Sequence, residues 1–269
     1  MSMFIAPTNE QIREAEREIF RTYGHRVSVA AKSKSLIKYG RNANVGTDAD
    51  RYTIMQFEGN QQNEVYITTN GIDRIVCDDA AYTGTVFVEG HTISGTDLTF
   101  IKEQVTLNGH TPVPLPTPLA RANRIFGMTT PLTPGEKIFV YEDSNVTNGT
   151  PTDASKIHVL IEEGFNKTQK AATSISKDDY WLVTLFYGGC LNKASRNIDI
   201  RLEAAPVGGV FAVESEKSAT SAGNPNFDLA APPILIVPPN TDIRATTLSS
   251  GQATEVYAGV GGYLASIIE

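Results

Sequence analysis

The chain has 269 residues, 41% of them hydrophobic and 20% charged, with a formal net charge of −7. This composition belongs to a folded protein with a core and excludes a disordered or collagen-like chain. The acidic balance argues against wrapping nucleic acid, which needs a basic face to displace counterions.

The first predicted element is a helix. Thr8 is its N-cap, with Gln11 three residues on as capping-box partner, and Gly24 is its stop. Ile12, Ala15, Ile19 and Tyr23 recur at spacings of three and four. They make one narrow apolar stripe on a helix that otherwise carries charges. Such a stripe suits docking onto a neighbouring subunit or packing on the helix's own domain.

Residues 25–47 hold His25, Arg26, Lys32, Lys34, Lys38 and Arg41, the one basic stretch of an acidic chain, and end in a polar, glycine-containing run. They read as an extended arm between helix and body, either seated on an acidic protein neighbour or solvated. Tyr39 is the only aromatic there, so the stretch lacks the stacking platform of a single-strand binder. The candidate partner-binding residues are therefore Ile12, Ile19, Arg26, Lys32, Lys34, Lys38 and Arg41.

From residue 51 the hydrophobic period becomes two. Short β-branched or aromatic runs at 65–68, 74–77, 85–88 and 98–101 are separated by turn signals such as Asn70-Gly71 and Glu89-Gly90. Residues 103–107 followed by Asn108-Gly109 read as a strand entering a hairpin. The run 111–118 has four prolines at alternate positions, which suits an edge strand or connector because proline cannot donate to a ladder. The polar loop 143–153 reads as a long turn within one sheet or as a domain boundary.

Further strands are predicted at 157–161, 180–187, 197–203, 209–213, 234–237, 241–246 and 255–260. Residues 197–203 alternate cleanly, with Ile198, Ile200 and Leu202 on one face and Asp199, Arg201 and Glu203 on the other. The expected core is Ile198, Ile200, Leu202, Trp181, Val183, Leu185, Ile234 and Ile236. Proline pairs flank 234–237 and mark another edge. Short strands at this spacing predict an all-β protein of one or two β-sandwich or Greek-key, jelly-roll-like domains. The expected division is a helix and arm over 1–47, a first β-rich domain over 48–145 and a second β-sandwich over 146–269.

No metal or catalytic motif is legible. The four histidines form no HxH or HxxxH pair and read as surface or hydrogen-bonded structural residues. Asp78-Asp79 and Asp178-Asp179 are adjacent carboxylates, which on a strand point to opposite faces and make a poor dyad; they read as solvated turns. Cys77 and Cys190 are too sparse for a disulfide framework and read as buried free thiols. There is no P-loop, GxSxG or HExxH. The expectation is a non-enzymatic protein without cofactor or metal. No apolar run approaches the ~18–20 residues of a membrane helix, and no signal-peptide pattern opens the chain.

Four blocks in one order carry a resemblance. Ile37-Lys-Tyr-Gly-Arg-Asn-Ala-Asn-Val-Gly-Thr47 is similar to K-[FY]-G-R-N-x-x-[VI]-[DG]-T. Glu103-Gln-Val-Thr-Leu-Asn-Gly-His-Thr-Pro-Val113 is similar to E-x-V-T-L-N-G-x-T-x-V. Residues 199–211 follow D-[IV]-R-L-x-x-x-P-x-G-G-V-F, and residues 241–246 follow [ST]-D-[IV]-[RK]-[IA]-x. Together they resemble a family of tailed-bacteriophage virion structural proteins.

The resemblance implies a virion subunit made in the host cytoplasm, with the major capsid protein or other virion subunits as partners and self-association, expected as a trimer. The first expectation is a capsid decoration (cement) protein. The alternative is a head–tail connector, collar or tail adaptor. A carbohydrate-binding β-domain ranks last because Trp181 is the one tryptophan and lies inside an apolar strand. Neither membrane nor direct nucleic-acid binding is expected.

Overall fold

The computed structural model describes residues 8–29, 35–45, 51–56, 63–191, 197–220, 226–250 and 254–268. The chain divides into two compact units: unit 1 combines Met1–Ile54 with Ala171–Glu269, and unit 2 is Met55–Lys170. Unit 1 opens with α1 (Asn9–Tyr23), β1 (Val27–Val29), β2 (Ser35–Val45) and β3 (Tyr52–Thr53). Unit 2 contains β4 (Ile72–Cys77), β5 (Thr85–Ser94), β6 (Asp97–Thr106), β7 (Val113–Leu119), β8 (Arg121–Phe126) and β9 (Lys137–Glu142). The short pair β10 (Val146–Thr147) and β11 (Thr150–Pro151) and then β12 (Ile157–Glu162) complete it. The chain returns to unit 1 as β13 (Ala172–Ile175), β14 (Asp179–Leu191), β15 (Asn197–Pro206), β16 (Ala212–Thr220), β17 (Asn226–Val237), β18 (Thr241–Ser250) and β19 (Thr254–Ile267). The protein is all-β apart from α1 and one short 3-10 turn among the described residues.

In unit 1 the first sheet runs β1-β19-β14-β17, with β2 also paired to β19; the second runs β13-β18-β15-β16, with β3 on β18. Both contribute to one core. Trp181, Val183 and Phe186 of β14 and Val256 and Val260 of β19 meet Ile198, Ile200 and Leu202 of β15 and Ile243 of β18. Alternation sends Tyr180 and Leu182 of β14 to the opposite face, where they pack with Ala15 and Ile19 of α1. Most of the expected core is found: Ile198, Ile200, Leu202, Trp181, Val183 and Leu185 are buried, while Ile236 is half-buried beneath α1. The side chain of Ile234 lies outside the described residues.

Two sequence signals resolve in physical detail. The Thr8 hydroxyl accepts from the Gln11 amide and the Gln11 side chain accepts from the Thr8 amide, while Gly24 takes φ 71° at the C-cap. The proline-bearing β7 and β17 are each the last strand of their sheet, where a missing N–H costs no ladder bond.

Three expectations are corrected. The boundary at 145/146 falls inside unit 2. Residues 143–153 are a hairpin: Asn148 and Gly149 take φ 48° and 78°, the consecutive left-handed pair of a type I′ turn, between β10 and β11. The 1–47 segment is not a separate helix and arm. Its β1 and β2 pair with β19 at the opposite end of the chain, and α1 covers the sheet they join. Gly40 lies inside β2, where a Cβ would stand 1.9 Å from the Ile54 carbonyl oxygen. Glu203, expected on the wet face, follows a bulge in β15 and is buried in an ion pair with Arg244.

Unit 2 has a four-stranded sheet, β12-β9-β4-β7, and a three-stranded one, β6-β5-β8. Their shared core includes Ile75, Val86, Val88, Val105, Ile125, Ile138, Val140 and Val159. The first sheet also buries its second face: Val76, Phe139, Tyr141 and Leu160 form a separate cluster.

Candidate functional site

The expected partner-binding residues separate into four environments. Ile19 is fully buried under its own sheet and Ile12 is half-buried, so the stripe packs on its own unit rather than facing a neighbour. Lys38 is 6% exposed and lies beside Trp181, Leu202 and Val260, because its place in β2 turns it inward. Arg41 forks onto Glu255 of β19 with bonds of 2.6 and 3.0 Å, a bidentate pair that fastens β2 to its sheet. Lys32 and Lys34 lie outside the described residues. Arg26 is exposed.

Arg26 belongs to an open groove of about 450 Å³ beside α1. The helix supplies Arg13, Glu16, Arg17 and Phe20, which at i, i+3, i+4 and i+7 share one face, adjacent to the buried stripe. Val27 of β1 and Ile268, just past β19, complete the lining. The two chain ends are held together there, since the Ile268 amide donates to the Arg26 carbonyl at 2.8 Å. Glu16 turns one carboxylate oxygen to the Val29 amide at 3.0 Å. Among the described residues Arg13, Arg17 and Arg26 enter no ion pair, so the groove is net positive in an acidic chain. Two of its apolar members stay wet, Phe20 at 54% exposed and Ile268 at 51%, while Val27 is buried.

The end of α1 is also tied to the sheet. His25 Nδ1 lies 2.7 Å from the Tyr180 hydroxyl, and Tyr23 packs on the Tyr180 ring at 5.4 Å between centroids. Sequence reasoning reached Arg26 but missed Arg13, Arg17, Phe20 and Ile268. Phe20 did carry a signal, an aromatic one position off the apolar stripe. Ile268 carried none, because its neighbours in the groove lie at the other end of the chain.

A second exposed apolar feature is the turn joining β15 to β16. Val210 is 89% exposed and Val213 48%. The turn has a fixed shape. The Gly209 amide donates to the Pro206 carbonyl at 2.7 Å, the Val207 amide to Asn240 at 3.0 Å, and Gly208 takes φ 75°. Arg244, paired with Glu203, lies over the Phe211 ring at 3.9 Å. Glu214 follows on β16, exposed and, among the described residues, in no ion pair.

Unit 2 buries several of its titratable groups. Lys170 Nζ bonds Glu64 at 2.6 Å and the carbonyls of Ala122 and His158 at 2.8 and 3.3 Å, with both ionic side chains buried. His158 is buried against Glu142 at 2.9 Å, His91 lies 3.0 Å from Asn123, and His110 lies 2.8 Å from the Asp78 carbonyl. Each histidine is hydrogen-bonded, as expected. Asp78 departs from the solvated-turn reading. Burial, followed by a hydrogen bond with the Glu136 carboxyl, pushes its carboxyl up to about 7, against the opposing pull of the Lys137 amide it accepts from. Burial also raises the Cys77 thiol to about 12, and both cysteines are buried and free. Among the described residues no three His, Cys, Asp or Glu side chains converge as a metal site. None of the described helices is long and apolar enough to cross a membrane.

No family model matches the chain, and no curated protein matches it in sequence. Among solved structures, a chain of the infectious bursal disease virus Gx strain aligns with 91% of this chain and 76% of its own length. At 7% identity and a TM-score of 0.17 that alignment carries no argument.

Proposed function

We propose that the protein is a non-enzymatic structural subunit that works by binding other protein subunits, and that its place is the shell of a tailed-phage virion, as a capsid decoration protein. The observation that carries the assembly reading is the groove. An exposed phenylalanine and isoleucine ringed by three arginines have the composition of interface centres, where aromatic residues and arginine supply most of the binding energy. The virion reading rests on the four sequence blocks. They fall on β2, on the connection that carries the chain from β6 in one sheet of unit 2 to β7 in the other, where the expected hairpin is not formed, on β15 with its turn, and on β18. The carbohydrate reading has no support from Trp181, whose ring is wholly buried in the core of unit 1.

Copy number per purified particle tests the position. Gel densitometry giving on the order of hundreds of copies fits a shell decoration, whereas about six or twelve place the protein in a ring at the head–tail junction or tail. Absence from purified particles overturns the virion reading altogether.

A further inference from the structure

We propose that the groove beside α1 is filled by the 207–213 turn of a second copy of this chain. Unit 1 carries both halves of such a contact. The groove offers exposed Phe20 and Ile268 beside Arg13, Arg17 and Arg26. The turn offers Val210 and Val213, with Glu214 directly behind them. No residue of the turn lines the groove of its own chain.

The match is one of size, charge and rigidity. A groove of about 450 Å³ admits the two valine side chains. Their burial removes Phe20 and Ile268 from water, which is the driving term. Glu214 then enters a positive rim, where its charge orients the turn and speeds encounter more than it adds affinity. Both partners are fixed before they meet: the turn by its bonds to Pro206 and Asn240, the groove by the capped helix and the Arg26–Ile268 bond. Little conformational freedom is therefore lost on docking.

A turn-into-groove contact uses different surfaces on the two partners. It is heterologous, so successive copies close a ring or extend a chain, in contrast to a two-fold dimer. The inference shares with the proposed function only the premise that the groove is a docking surface, and it needs no particle to be tested.

The experiment is complementation between two singly defective variants of the full chain. Phe20→Asp spoils the groove and spares the turn; Val210→Asp does the reverse. Both positions are exposed, so each variant should keep the wild-type circular dichroism and thermal midpoint. In sedimentation velocity the wild type should associate as concentration rises, and less so in high salt. Each variant alone should sediment as a monomer, and an equimolar mixture should form dimers and nothing larger, because one intact contact remains per pair.

A wild type that stays monomeric at its highest soluble concentration overturns the inference. So does either variant associating like wild type, or a mixture that stays monomeric. A monomeric wild type that is nonetheless present in particles ends this inference and leaves the virion reading standing. Association without presence in particles does the reverse.

Discussion

The two units bury polarity in different ways. In unit 1 many of the buried polar side chains are short hydroxyls, such as Thr173, Thr241, Thr246, Thr247 and Ser249, beside an aliphatic and aromatic core shared by two sheets. Its charged pairs, Arg41–Glu255, Arg244–Glu203 and Arg201–Glu216, are all partly wet on at least one side. Unit 2 encloses a complete ion pair, Lys170–Glu64, together with buried His91, His158 and Arg121 and a shared carboxyl pair at Asp78 and Glu136. The difference separates two kinds of stability. Unit 1 is held chiefly by apolar area, with Lys38, Glu203 and Asp242 among its few buried charged side chains. Unit 2 depends on each internal charge keeping its partner, because the cost of an unpaired buried charge exceeds the worth of the pair. Unit 1 also carries the exposed groove and turn.

The largest break in that comparison is predicted from the N-terminus. Deleting residues 1–47 removes α1, β1 and β2, and with them one neighbour of β19 and the cover over Tyr180 and Leu182. Unit 1 should fail to fold, read as loss of its amide protection or of soluble protein. A truncated protein with the wild-type thermal midpoint would show that the segment is an appendage after all.

Next comes the internal ion pair. Lys170→Met leaves Glu64 buried without its cation and should cost about 3–5 kcal/mol in denaturant titration. The double substitution Lys170→Met with Glu64→Leu should recover most of that. The loss should register as faster amide exchange in β8 and β12, the strands whose carbonyls Lys170 bonds or adjoins. If the double variant is as weak as the single, the pair is not the source of the cost. In unit 1 the matching test is Ile200→Ala, a wholly buried aliphatic truncation. It should cost about 2–4 kcal/mol, with no dependence on pH between 5 and 8. A loss below about 0.5 kcal/mol would mean that the core closes over the gap.

Local signals in the sequence announced local structure well. The capping box, the alternation from 197 to 202 and the proline-marked edges all rest on interactions within a few residues. β2 was hidden for a physical reason. Its Lys38 and Arg41 read as solvent-facing, yet one is turned inward by the strand and the other is neutralised by Glu255, which lies 214 residues away. The division into units was illegible for the same reason. Unit 1 is built from both ends of the chain, and nothing near Ile54 or Ala171 marks the crossings. The groove inherits that non-locality. Its helical half was visible as an off-stripe Phe20, whereas Ile268 reaches it only because β1 pairs with β19.

The last predicted effect concerns Asp78, and it sharpens the contrast by adding pH. Its carboxyl accepts from the Lys137 amide, shares a hydrogen bond with Glu136, and has Cys77, Asp79 and Lys137 as its charged or titratable neighbours, with His110 on its own carbonyl. In the unfolded chain such a carboxyl loses its proton near 3.8, whereas in the fold it keeps it to about 7. Between those values the unfolded state binds fewer protons than the native state, so stability falls as pH rises and levels off above about 7. This is the reverse of a salt-bridged carboxylate, whose contribution grows with pH. Asp78→Asn keeps an acceptor for the Lys137 amide and gives Glu136 a permanent donor, which imitates the protonated form at every pH. The variant's thermal midpoint should therefore lie close to wild type at pH 4 and progressively above it toward pH 8, whereas Ile200→Ala should run parallel to wild type across that range. Parallel curves for Asp78→Asn would mean that Asp78 titrates alike in the folded and unfolded chain and that the carboxyl pair in unit 2 is not proton-linked to folding.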